Sequence, residues 1–170
     1  KIMRGTYMDP YTFSTQIGPE LRFISYEQLR LAVARVDDDA ATVWMNELAE
    51  QYTVEPDVDR GLFLESVRAS LGLAALRNEQ ALDALVLNDV SPELFETIGL
   101  RPGFYPPDFH RHGAVLTPEG DLGAGLIMYI LHQLTGGAVN YIEPFYIEKD
   151  RGTFAGGHAG AERRHSERIA

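Results

Sequence analysis

The sequence predicts an α/β fold, a sheet flanked by helices. Two observations carry that expectation. Short runs rich in β-branched and aromatic residues alternate with longer segments of helical periodicity, the pattern of layered α/β architectures. One of the short runs, "LDALVLND" at 82–89, is almost wholly apolar and ends in a turn pair, which suits a buried strand of a parallel sheet.

The elements follow in order. The opening "KIMRGTYMDPYTFSTQIGPELRFIS" is broken by Gly5, Pro10, Gly18 and Pro19 and predicts two or three short strands joined by turns, with Asp9 and Gln16 as turn and strand polars. Ser25 then starts a helix: Gln28 completes a Ser-x-x-Gln capping box, and Leu29, Ala32, Val33 and Val36 recur at helical spacing. The acidic triplet Asp37, Asp38 and Asp39 suits the positive end of a second helix, with Val43, Met45, Leu48 and Tyr52 toward its buried side. Pro56 opens a third helical region, where Leu62, Phe63, Val67, Leu71 and Leu76 form the apolar face and Arg68 and Arg77 are solvated or paired.

After the strand at 82–89, Asn88 and Asp89 admit two readings. They are a turn or capping pair before "SPELFETIG", or ligand-facing polars at the C-terminal end of a strand, where α/β folds place their sites. "LRPGFYPPDFHRHG" is a loop, and its His110 and His112 are expected at the surface. Thr117 and Pro118 predict the start of an apolar helix that ends at Gly136 and Gly137, with Glu119 and Asp121 in its first turn and His132 packed or facing solvent. Gly120, Gly123 and Gly125 weaken that helix and point to a close approach there. "AVNYIEPFYIE" predicts a strand, and "GGHAG" a glycine-rich turn.

Composition narrows the function classes. The 170 residues are 45% hydrophobic, enough for an ordinary core. Cysteine is absent, which excludes disulfides and thiolate metal sites and accords with a cytoplasmic location. A formal net charge of −10 disfavours nucleic-acid partners and anionic membranes. The longest apolar run, "AGLIMYIL", falls well short of the roughly 20 residues of a membrane-spanning helix. The "GxG" fragments lack the strand–glycine–helix context of a nucleotide site.

The chemistry-bearing residues are concentrated from Thr117 onward. Glu119 at a helix start can stay ionised, and an ionised carboxylate binds a divalent cation or takes a proton from carbon; it is equally an ordinary helix-start acid. Glu143 sits among apolar and aromatic neighbours, where a lone carboxylate is costly unless paired or metal-bound, and Pro144 marks a strand end from which it can emerge into a cleft. His158 stands in a glycine-rich turn that leaves its ring uncrowded, though most loop histidines are only loop histidines. One helix and one strand separate Glu119 from Glu143, and a hairpin's length separates Glu143 from His158, so all three can meet at one sheet edge. Carboxylate oxygens with one imidazole are a ligand set for manganese and similar ions.

"PEGDLGAGLIMYILHQLTGG", "YIEPFYIE" and "GGHAG" together resemble the metal-site region of the L-arabinose isomerases, and the related L-fucose isomerases share the spacing between the acids. The likeness extends more weakly upstream, through "LVLNDV" and "IGLRPGFYPPDF" to the opening segment. It implies a central α/β domain over 1–137 leading into the start of a β-rich C-terminal domain over 138–170. It further implies an aldose–ketose isomerase acting on a pentose or deoxyhexose, with Mn2+ or another divalent cation as cofactor. Glu119, Glu143 and His158 would be the metal ligands, with Glu119 and Glu143 as the catalytic acid/base pair. A homo-oligomer is implied by the resemblance alone. The chain departs from the family at Pro144, where an acidic residue is usual, and at Leu122, where tryptophan is usual, which points to a divergent branch. The family's second metal-binding histidine has no counterpart, since His165 in "RRHSER" does not match its motif. Its N-terminal Rossmann-like domain also has none, so a piece of a longer polypeptide is expected. The alternative reading is a non-catalytic sugar-binding or regulatory module of the same fold.

Overall fold

The computed structural model describes residues 8–100, 109 and 113–158, and the backbone of 168–169. His110, His112 and His165 lie outside the described residues. Within them the chain is a mixed α/β structure, and most of its helices begin at a side chain that takes up a free N–H. Helix α1 (Pro10–Ile17) starts at Asp9, whose carboxylate accepts the Thr12 N–H at 2.7 Å, and stops at Gly18 with φ 108°. This corrects the expected strands: Asp followed by Pro is a cap and a first helical residue, and that local signal outweighs the β-branched composition. Gln16 lies on this helix. Helix α2 (Tyr26–Ala34) carries the predicted capping box, with both Ser25 and Gln28 hydrogen bonds formed. Helix α3 (Asp38–Gln51) is capped by Asp37.

A two-residue strand, β1 (Thr53–Val54), precedes helix α4 (Arg60–Gln80), which begins at Asp59 and not at Pro56. The Asp59 carboxylate accepts the Leu62 N–H at 2.9 Å, and that bond fixes the start. Val43 and Leu62, expected on buried faces, are exposed, while their neighbours Trp44 and Phe63 are buried. Arg68 is paired, its guanidinium 2.6 Å from Asp38 and 3.3 Å from Glu65. Gly72 lets α4 press onto α2, because a Cβ there would lie 2.6 Å from Val33 Cγ2.

Strand β2 (Ala84–Val86) is the centre of the predicted apolar run. It pairs in parallel with β3 (Val115–Thr117), Leu85 opposite Leu116, with helix α5 (Pro92–Ile98) in the connection. Leu29, Leu73, Leu76, Leu94 and Ala114 close around this ladder as one core, and Trp44, Met45, Leu48, Phe63 and Val67 form a second between α3 and α4. Helix α6 (Leu122–Thr135) lies against the ladder. Its start is also corrected: Thr117 ends β3, and the helix is capped by Asp121, which accepts the Ala124 N–H at 2.9 Å. The close approach predicted at the glycines is made by the protein itself. A Cβ on Gly125 would sit 2.9 Å from Val86 Cγ2 and 3.3 Å from Thr117 Oγ1. His132 is buried, with Nδ1 2.7 Å from the Gly137 carbonyl oxygen just past the end of α6.

Strands β4 (Glu143–Glu148) and β5 (Thr153–Gly157) make an antiparallel hairpin with a register shift between Pro144 and Tyr146. The strand therefore begins at Glu143, later than "AVNYIEPFYIE" suggested. Strand β6 (Arg168–Ile169) pairs in parallel with β1. No helix among the described residues is long and apolar enough to cross a membrane.

Candidate metal centre

Glu119 sits in the turn that joins β3 to α6, not in the first turn of the helix. Its φ is +60° and that of Gly120 is +70°, two successive left-handed residues that the chain must hold in place. The restraint comes from β2 and the loop beyond it. The Leu87 N–H donates to the Thr117 carbonyl at 2.8 Å, and the Gly120 N–H donates to the Leu87 carbonyl at 2.9 Å. The Glu119 N–H donates to Asp89 Oδ1 at 2.7 Å. Asp89 is buried and fixes the backbone of this turn, a contact that neither sequence reading described; the cap before α5 is Ser91. Asn88 packs under Gly120, where a Cβ would lie 3.4 Å from Asn88 Cβ, and its carbonyl accepts the Tyr26 hydroxyl at 2.9 Å.

The open end of the hairpin supplies the other two residues. Glu143 is the first residue of β4, paired with Gly157, and His158 follows directly on β5. Gly156 makes the pairing possible: a Cβ there would come 2.8 Å from the Glu143 carbonyl oxygen. Gly156 and Gly157 therefore belong to a strand where a turn was expected, and the His158 ring is covered and packed against Tyr141, not uncrowded.

Glu119, Glu143 and His158 converge, each offering one ligand atom within 4.8 Å of the others. The Glu119 and His158 side chains are nearly covered, at 10% and 5% exposure, while Glu143 is exposed. Glu119 Oε1 stands 3.4 Å from His158 Nε2, longer than the usual 2.7–3.2 Å of a direct hydrogen bond. Neighbouring ligands on a small divalent ion, bound at about 2.1 Å, stand about 3.0 Å apart and opposite ones about 4.2 Å. The Glu119–His158 pair, at 3.4 Å, lies near the neighbouring-ligand separation, and the Glu143 carboxylate lies within 4.8 Å of both. The three donors are oxygen, oxygen and imidazole nitrogen, a set open to several divalent ions.

Sequence reasoning missed Tyr141. Its hydroxyl donates to Glu119 Oε2 at 3.3 Å, and its ring meets that of His158 edge to face with centroids 4.9 Å apart. Burial, and next the negative charge of Glu119, push the phenol up to about 12, so it remains a donor at neutral pH. The available signal was a polar-tipped aromatic two residues before Glu143.

A cleft of about 450 Å³ opens beside the turn, between β2 and the extended segment before α2. Glu119, Gly120 and Asn88 form its polar end, and Leu29, Leu73 and Leu85 contribute an aliphatic floor. The sequence matches no protein-family model and no curated protein at a significant level.

Proposed function

We propose that this chain carries the metal-holding, proton-transferring part of an aldose–ketose isomerase that uses Mn2+ or another divalent cation. The observation that carries the reading is the meeting of Glu119, Glu143 and His158 within 4.8 Å, the three residues that the sequence singles out in the order of the arabinose isomerase pattern. A cation bound there would supply Lewis-acid polarisation of the sugar's carbonyl and adjacent hydroxyl oxygens.

The chain's own residues do the rest. An aldose becomes a ketose when the proton on C2 leaves, an enediol forms, and a proton is returned to C1, while the hydroxyl proton moves between O2 and O1. The exposed Glu143 is the carboxylate a substrate reaches first, and it accepts and returns the carbon-bound proton. Glu119, held through its backbone by Asp89 and through Oε2 by Tyr141, stays fixed as a ligand and moves the hydroxyl proton. Each such transfer contributes typically about 10²–10⁴-fold. His158, nearly covered, holds its place beside Glu119. The cleft's aliphatic floor offers a polyol no hydrogen bonds, whereas Arg22, Ser25 and Asn88 in its lining, with Glu119, offer partners to a sugar's oxygens.

The test is a panel of pentoses and deoxyhexoses assayed with Mn2+ on the full-length protein. Metal-dependent ketose formation, lost on chelation, supports the reading. Binding of sugar and metal without turnover would instead favour the non-catalytic sugar-binding module, and binding of neither would remove both.

A further inference from the structure

We propose that Tyr141 is a positioning residue that holds Glu119 as a one-oxygen ligand and so biases the centre toward small divalent ions over calcium. The inference rests on the metal-centre reading above and deepens it. The two oxygens of Glu119 have different neighbours. Oε2 accepts the Tyr141 hydroxyl at 3.3 Å, whereas Oε1 faces His158 Nε2 at 3.4 Å. Both contacts are long for hydrogen bonds, and the asymmetry is one of neighbours: Oε2 faces a hydroxyl, and Oε1 is turned toward the other ligands. Because Glu119 is only 10% exposed and its backbone is fixed by Asp89, the carboxylate has little room to swing both oxygens onto one ion.

Calcium gathers six to eight oxygens at about 2.3–2.6 Å and commonly takes a carboxylate through both atoms; smaller cations prefer fewer, closer single-oxygen ligands. A hydroxyl on Oε2 therefore costs a calcium ion more than a manganese ion. The Tyr141 ring adds a second restraint, because its edge-to-face contact sets the plane of the His158 imidazole. Tyr141 thus touches two of the three ligands and stands two residues from the third, Glu143. Partners of this kind commonly change metal affinity by roughly 10- to 100-fold when removed.

The experiment is calorimetric titration of the full-length protein with Mn2+ and with Ca2+, comparing the wild type with Tyr141→Phe. The variant keeps the ring against His158 and removes only the hydroxyl. The expected result is a roughly tenfold or larger weakening for Mn2+ with Ca2+ unchanged or strengthened, so that the preference between the ions narrows by at least about that factor. The unfolding midpoint of the metal-free protein should stay close to that of the wild type. Equal weakening of both ions, or an unchanged Mn2+ affinity, overturns the positioning role while leaving the centre intact. A wild-type protein that binds neither ion overturns the metal-centre reading itself.

Discussion

The two strand pairs that bring Glu119, Glu143 and His158 together are built in opposite ways. The β2–β3 ladder is parallel and enclosed: Val115, Leu116 and Thr117 are all buried, Leu85 lies opposite Leu116, and α6 covers the pair through Gly125. The β4–β5 hairpin is antiparallel and open. Phe145, Tyr146, Ile147 and Phe154 are each 60–69% exposed. An isolated two-stranded hairpin is marginal in water, because it has too little apolar surface to bury. Glu119 therefore stands on a frame fixed by the core, whereas Glu143 and His158 stand on one held mainly by its own ladder. The contrast teaches that damage to the ladder should cost stability, and damage to the hairpin should cost ligand geometry.

The largest expected effect tests the chemistry where the rigid half meets the site. Glu119→Gln should lower isomerisation by about 10²–10⁴-fold or abolish it, with the circular dichroism spectrum and melting midpoint unchanged. Turnover near that of the wild type would remove Glu119 from the mechanism. Next, Leu116→Ala should destabilise the protein by about 2–5 kcal/mol in urea unfolding, because it opens a cavity beside Leu85. A loss below about 1 kcal/mol would mean that the ladder is not the stable half.

Two glycines sharpen the contrast, since each permits a close approach in a different half. Gly125→Ala pushes a methyl to 2.9 Å from Val86 Cγ2, and overpacking of that kind typically costs about 1–3 kcal/mol of global stability. Gly156→Ala meets the Glu143 carbonyl at 2.8 Å. It should move Glu143 away from His158 and weaken Mn2+ binding by about tenfold, with much less effect on the melting midpoint than Gly125→Ala. Reversed outcomes for the two variants would undo the division. The smallest effect belongs to Ile147→Ala, on the exposed hairpin, where a change within about 0.5 kcal/mol is expected by the same urea measurement.

Several parts of this architecture were legible locally. Ser25 with Gln28 and the glycine after Thr135 are cap signals that act within one helical turn and stand where they were read, and the acidic triplet marks the helix start at which Asp37 turns out to be the cap. Local signals were also misread where two competed. Asp9 and Pro10 start a helix inside a β-like composition, and Asp121 takes the cap that Thr117 and Pro118 seemed to offer, because Thr117 is already committed to β3. The position of Tyr141 two residues before Glu143 is a local signal, but its partner Glu119 lies a helix away along the chain, beyond the reach of local pattern.

The sequence by itself determined the order of Glu119, Glu143 and His158 and those helix ends where one cap signal stood alone, because caps and periodicity depend on neighbours a few residues apart. Only the tertiary structure decided which groups hold Glu119. The Asp89 carboxylate, the parallel register of β2 with β3, and the Tyr141 hydroxyl come from distant points of the chain, and their meeting depends on how the core packs. The tertiary structure likewise decided that Gly125 serves helix-on-sheet packing while Gly156 serves the site, since the same residue type permits whichever approach its surroundings demand.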